Sequence, residues 1–206
     1  MKEAFNKNGF VFVPNMVENV QQYRSCVPKQ TGLVVYDRVT GEYLYDDVEP
    51  QVPGSFARTS FPQYQQLYYE IKKKIEGILD LKLYPTYYFD RFYFAGQELS
   101  RHTDRPACEI SVSLQISTNT EEPWDLWFTN YSGKNSSVSM NDGDACIYKG
   151  TDLPHWRLPL KTRYNKYQQW YRKIRKVDDD TYHHQLFLHY VDANGPFVQY
   201  AYDSRC

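Results

Sequence analysis

The stretch Tyr93-Phe94-Ala95-Gly96-Gln97-Glu98-Leu99-Ser100-Arg101-His102-Thr103-Asp104 carries two metal-capable side chains two residues apart. On an extended strand, positions i and i+2 point to the same face, so the His102 imidazole and the Asp104 carboxylate converge on one ion. Arg101, one residue out of step, points the other way. His155 follows after several predicted strands, and a sandwich or barrel returns it beside the pair. Two imidazoles and a carboxylate on one face form a set that holds octahedral Fe(II) and leaves positions open for O₂ and a co-substrate. The same set binds zinc, so zinc hydrolysis is the chemical competitor. An HxD alone is a weak signal, since its ordinary reading is a surface histidine beside a surface aspartate.

Working outward, the pattern on both sides is strand-rich. LYPTYYFDRFYF precedes the segment. Ile110 to Ser117 alternates, with Ile110, Val112, Leu114 and Ile116 on one face. WDLWFTN, DACIYKG, a short piece around His155 and HQLFLHYV supply further strands. Toward the N-terminus, GFVFVP reads as a short strand, and TGLVVYD and GEYLYDD as short strands or a hairpin. From Phe61 to about Asp80 the period changes. Tyr64, Leu67, Tyr68, Ile71, Ile75 and Ile78 recur at spacings of three and four, which predicts an amphipathic helix with Lys72–Lys74 facing solvent. The expected fold is mainly β with supporting helices.

Composition narrows the function classes. Lys and Arg total 24 against 25 for Asp and Glu, a net charge of -1 over 206 residues, which argues against a nucleic-acid coat. Cys26, Cys108, Cys146 and Cys206 form no CxxC pair and are too sparse for a disulfide scaffold, so reduced thiols are expected. No stretch approaches the ~20 apolar residues that span a bilayer. The N-terminal MKEAFNKNGF lacks the apolar core of a signal peptide. A cytoplasmic protein with no membrane partner is the expectation; oligomeric state is not readable. One domain over 1–206 is expected, with its β core at about 88–200 and a charged, aromatic insertion at about 161–182 whose second half reads as a short helix. The insertion is either a solvated excursion or a substrate-contacting lid.

In its motifs the chain resembles the 2-oxoglutarate- and Fe(II)-dependent oxygenase superfamily, in particular its prolyl 4-hydroxylase-like branch. The resemblance runs through Tyr93, Gly96-Gln97 and His102-Thr103-Asp104, then the strands Ile110–Ser117 and Trp124–Asn130. It continues through Gly143-Asp144, Ala145–Tyr148 and Pro154-His155-Trp156-Arg157, and ends on Gln185–Asp192. These cover about Tyr88 to Asp192. The resemblance implies a double-stranded β-helix (jelly-roll, cupin-like) core with Fe(II) held by His102, Asp104 and His155. It also implies 2-oxoglutarate and O₂ as co-substrates, ascorbate as an accessory reductant, and oxidative decarboxylation to succinate and CO₂. Related halogenases lack the carboxylate, so Asp104 favours hydroxylation of a carbon centre. Peptidyl proline is the leading substrate, with a free amino acid or other small molecule as alternative and a non-catalytic metal-binding jelly roll as the rival class.

The 2-oxoglutarate anchor departs from the family pattern. A Lys or Arg is expected about ten residues after the second histidine, but Asn165 stands there, inside the insertion. Counting back from the closing strand gives His183. Arg157, two residues after His155, shares that histidine's face on a continuing strand. Arg157 and His183 are therefore the candidates, with Lys161 and Arg163 behind them, and Tyr93 matches the family tyrosine that lines the co-substrate pocket. Tyr148 and Trp156 are candidate walls; His189 reads as a satisfied core histidine.

Overall fold

The computed structural model describes residues 1–203, so Cys206 and the last residues of the expected domain lie outside it. The strands are β1 (Phe10–Val13), β2 (Gly32–Tyr36), β3 (Tyr43–Asp46), β4 (Phe56–Thr59), β5 (Leu83–Phe94), β6 (Leu99–His102), β7 (Ile110–Thr118), β8 (Leu126–Thr129), β9 (Asn135–Val138), β10 (Ala145–Tyr148), β11 (His155–Arg157) and β12 (Tyr182–Asp192). The helices are α1 (Lys2–Asn8), α2 (Gln65–Leu79) and α3 (Lys166–Arg175). One sheet has eight strands in the order β1-β10-β7-β12-β5-β4-β2-β3, and a second has four, β6-β11-β8-β9. Together they resemble the double-stranded β-helix core, with helices added on the outside. All pairings are antiparallel except β2 with β4.

The eight-stranded sheet extends beyond the expected core. β1 pairs with β10 through Phe10↔Tyr148 to Val13↔Ala145, and β4 pairs with β5. β2 and β3 pair as a hairpin over Gly32–Asp46, which joins this sheet through β4.

The two faces of this sheet have different fates. On the outer face, Tyr88, Val112, Leu114, Ile116, Leu186, Leu188 and Tyr190 pack against Leu67, Tyr68, Ile71, Ile75 and Leu79 of α2. The three-four spacing thus buries one stripe of α2, which starts at Gln65 after a 3-10 turn over Pro62–Tyr64 and stops at Asp80 in the left-handed region (φ 53). The inner face looks toward the four-stranded sheet, and Cys146 and Tyr148 there meet Leu126, Phe128 and Val138 across the gap.

One charged cluster sits within the outer layer. Asp90, fully buried, accepts from Arg58 Nη2 at 2.5 Å and from His184 Nε2 at 2.7 Å, while the His184 ring stacks on Phe92 at 3.8 Å. Burial opposes ionisation of Asp90, yet the hydrogen bonds from His184 and Arg58 keep its carboxyl below the usual range. Removing one partner of a buried pair leaves the other charge uncompensated, which typically costs about 3–5 kcal/mol. Asp90→Asn is expected to lower unfolding stability on that scale in urea titrations. Metal uptake per folded molecule should stay unchanged, because Asp90 faces away from the inner layer.

Candidate metal centre

His102 ends β6 and His155 opens β11, and the two are direct cross-strand partners in the four-stranded sheet. Their rings lie 4.4 Å apart by centroid. Asp104 sits just past β6, where its N–H donates to the Gly150 carbonyl at 2.8 Å. Its Oδ1 is 3.5 Å from both His102 Nε2 and His155 Nε2. The three residues expected from the sequence thus come together, with ligand atoms all within 4.8 Å of one another.

Local hydrogen bonds orient each ligand. His102 Nδ1 donates to the Ser100 carbonyl at 2.8 Å, and His155 Nδ1 donates to the Leu153 carbonyl at 2.9 Å. These bonds place a proton on each Nδ1 and turn both Nε2 atoms toward Asp104, the usual outer-shell arrangement of metal-binding histidines. A neutral ring presents a lone pair there, and a protonated His102 donates to the carboxylate instead. Burial pulls the His155 imidazole below its ordinary value despite the nearby Asp104 charge. At the more open His102, the Asp104 and Ser100 contacts outweigh burial and raise it. Burial would raise Asp104 too, but hydrogen bonding to His102 and the neighbouring imidazoles hold it at about 2. An ionised carboxylate beside two directed imidazole nitrogens fits a divalent first-row metal.

Behind Asp104, Ser111 Oγ donates to Oδ2 at 3.0 Å and lies 2.9 Å from His189 Nδ1. His189 is not the satisfied core residue expected: it lines the cavity over the triad, and its buried Nε2 has no hydrogen-bond partner among the described residues. Burial lowers its imidazole to about 4, so it is neutral. Asp104, Cys108 and His189 form a second potential ligand cluster sharing the same carboxylate.

The cavity has a volume of about 350 Å³. Tyr87, Phe89, Phe187 and His189 form an aromatic wall, Leu33, Ala57 and Thr59 come from β2 and β4, and Tyr148 stands over His155. Arg91 also lines it, but Glu49 Oε1 neutralises that guanidinium at 2.7 Å, and Gln51 accepts from it at 2.8 Å. Gln51 Nε2 lies 3.2 Å from His102 Nε2, so the Glu49–Gln51 segment roofs the triad. Sequence reasoning left Arg91, Tyr87 and Phe89 unassigned, although counting back by twos from Tyr93 places them on its face. No residue of 161–180 lines this cavity. Trp156 does not line it either; its ring stacks on Trp127 and lies under Arg101.

The expected anchor residues form a separate, deeper layer. Arg157 is 1 % exposed, donates to the Trp124 carbonyl, and reaches Gln185 Oε1 at 3.3 Å. Its Nε has no partner, and no carboxylate makes an ion pair with it among the described residues. Burial drives its guanidinium down to about 10. His183 bonds Gln185 Oε1 at 2.8 Å and meets the Trp124 ring edge-on. Burial and the Arg157 charge keep His183 neutral, well below its ordinary range. Tyr93 is cross-strand to His183, and its hydroxyl accepts from Arg91 at 3.1 Å. Neither Arg157, His183 nor Tyr93 lines the triad cavity.

No protein-family model and no curated protein matches the chain. Solved structures match in fold. A prolyl-4-hydroxylase from Pseudomonas putida aligns with a TM-score of 0.57 at 14 % identity, over 91 % of this chain and 95 % of that one. The non-haem alpha-ketoglutarate-dependent epimerase SnoN from nogalamycin biosynthesis gives 0.62 at 11 % identity, over 93 % and 79 %. HygX from Streptomyces hygroscopicus, with nickel and 2-oxoglutarate bound, gives 0.60 at 11 % identity, over 91 % and 84 %. The shared property is the fold of the 2-oxoglutarate- and Fe(II)-dependent oxygenases, and the prolyl-hydroxylase branch is not singled out within it.

Gly150 makes the carboxylate position testable. A Cβ there would lie 2.3 Å from Asp104 Oδ2 and 2.4 Å from the Cys108 carbonyl, so even a methyl group displaces the ligand. Gly150→Ala is expected to weaken Fe(II) or Mn(II) binding roughly 10–100-fold by calorimetry, the scale of outer-shell metal mutations. Wild-type affinity in a folded Gly150→Ala protein would show that Asp104 is not held this way.

Proposed function

We propose that the chain is a 2-oxoglutarate- and Fe(II)-dependent oxygenase that hydroxylates a carbon centre of a compact substrate. The observation that carries this reading is the pair of Nδ1 hydrogen bonds on His102 and His155, which turn both Nε2 atoms toward the ionised Asp104. His102, Asp104 and His155 would hold the iron. Bound iron and 2-oxoglutarate together supply oxidative decarboxylation coupled to oxygen insertion at a C–H bond.

The residues divide the remaining work. Arg157 is the proposed partner for the distal carboxylate of 2-oxoglutarate, because its desolvated guanidinium keeps a donor unused in a layer walled by Tyr93, Trp124 and Gln185. His183, held neutral, supports that layer through Gln185 rather than supplying a charge. Tyr87, Phe89 and Phe187 present an apolar wall to the substrate, and His189 adds a hydrogen-bond acceptor beside the metal ligands. The Glu49–Gln51 roof, pinned by the Glu49–Arg91 ion pair, favours a free amino acid or other small molecule over peptidyl proline, since an extended peptide needs an open groove across the triad. No helix among the described residues is long and apolar enough to cross a membrane.

Adding Fe(II) and 2-oxoglutarate without oxygen tests the assignment. Chelation by the 2-oxo acid should give a weak visible charge-transfer band that His155→Ala abolishes. No band in the wild-type protein, or an unchanged band in the variant, points instead to a non-catalytic metal-binding jelly roll. Mass spectrometry of amino acids, small molecules and prolyl peptides for a one-oxygen gain then ranks the substrates.

The anchor has its own signature. Arg157→Met keeps most of the side-chain volume and removes an uncompensated buried cation, so unfolding stability should hold or rise. Its 2-oxoglutarate affinity should fall roughly 30-fold or more, with Mn(II) affinity unchanged. Unchanged 2-oxoglutarate affinity would move the anchor elsewhere, with Arg91 the next cation to test.

A further inference from the structure

The segment that the oxygenase reading leaves unused is α3, KYQQWYRKIR. It starts with a full capping box, in which Asn165 and Gln168 exchange side-chain and backbone hydrogen bonds, and it buries no residue of its own. Tyr167, Trp170, Tyr171 and Ile174 recur at i, i+3, i+4 and i+7, so they form one stripe. All four are between 47 % and 71 % exposed, and Val177 just beyond is 50 % exposed. Arg172, on the opposite side, turns back to the Asp178 carbonyl and covers the Tyr164 ring at 4.2 Å, which leaves the stripe facing outward. Lys166, Lys173 and Arg175 flank it, and no acidic residue occurs from 166 to 176.

Beside α3 lies a groove of about 760 Å³ with the opposite character. Its carboxylates Glu121, Glu122 and Asp125 outnumber its two cations, Lys161, which pairs with Glu122 at 3.4 Å, and Arg163, which pairs with Asp180. Trp124, Trp127 and the half-exposed Leu158 form its apolar floor. We propose that this face is a homodimer interface, in which α3 of each copy docks into the acidic, aromatic groove of the other. A two-fold axis requires one patch to be self-complementary, and this patch carries a cationic aromatic ridge next to an anionic aromatic groove. Ridge against ridge would bring like charges together, whereas ridge against groove pairs opposite ones. Tyr, Trp and Arg are also the residues that dominate interface energetics. The same groove abuts the proposed co-substrate layer, because Trp124 both lines it and accepts from Arg157.

Sedimentation equilibrium of the full chain, from micromolar to submillimolar concentration, tests the proposal. The wild type should show twice the chain mass. Trp170→Glu with Ile174→Glu should raise the dimer dissociation constant roughly 30-fold or more. Its melting curve should match that of monomeric wild type at high dilution, since α3 buries nothing. Glu121→Lys with Glu122→Lys, and separately Lys173→Glu with Arg175→Glu, should each dissociate alone and associate again when mixed. Three results overturn the proposal: a wild type with single-chain mass throughout, a dimer indifferent to Trp170→Glu with Ile174→Glu, or a monomer that floats with phosphatidylserine vesicles, which would give the stripe to a lipid surface.

Discussion

The pairing of β5 with β12 sets which chemistry lies on which side of the protein. Gln185 stands opposite Arg91, His184 opposite Phe92 and His183 opposite Tyr93, so strict alternation sorts neighbouring residues into two environments. A one-residue slip of β12 would turn His184 toward the cavity and send His183, Gln185 and Phe187 into the α2 interface. The hydrophobic outer set, Tyr88, Leu186, Leu188 and Tyr190, resists that slip because its burial against α2 would be lost. Helix packing on one face thus holds the register of the site on the other.

The inner layer concentrates polar groups that burial disfavours. His155, His183 and His189 are all pushed toward the neutral form, with burial as the main cause in each. Neutral imidazole is the form that ligates a metal or accepts a hydrogen bond, so the same desolvation that weakens the apo fold prepares the donors. Gly150 and the Ser100 and Leu153 carbonyls complete this by positioning backbone where side chains could not fit or could not accept.

The nearness of His102 and Asp104 was legible because it depends on neighbours along the chain, although Asp104 lies just past β6 and is held by Gly150. His155, a cross-strand partner distant in sequence, entered through the resemblance of the Pro154–Arg157 motif. The α2 stripe was legible for the same reason as the His102–Asp104 pair. The roof was not: Glu49 reaches the site through an ion pair with Arg91 across 42 positions, and Gln51 through hydrogen-bond contacts with Arg91 and His102, which no local pattern records. His189 was misjudged because burial and satisfaction are separate properties, and only the fold shows that its Nε2 is buried yet unpartnered. The start of α3 could have been read from the Asn165…Gln168 capping spacing. Its outward-facing stripe could not, since an amphipathic period gives a helix an apolar face without saying what covers it.

Two buried arginines show why charge alone does not identify a binding residue. Arg91 has Glu49, Gln51 and the Tyr93 hydroxyl around it, and its charge already has a partner within the protein. An incoming carboxylate must then compete with Glu49 and tolerate its repulsion. Arg157 is equally buried but meets only neutral acceptors, a carbonyl and an amide oxygen; both guanidiniums leave Nε without a partner, so the counter-ion is what separates them. Desolvating a guanidinium without a counter-ion destabilises the apo fold, and a dicarboxylate is the kind of ligand that offsets it on binding. The position further from the open cavity is therefore the stronger candidate for the proposed anchor, and it stands on β11, the same strand as His155.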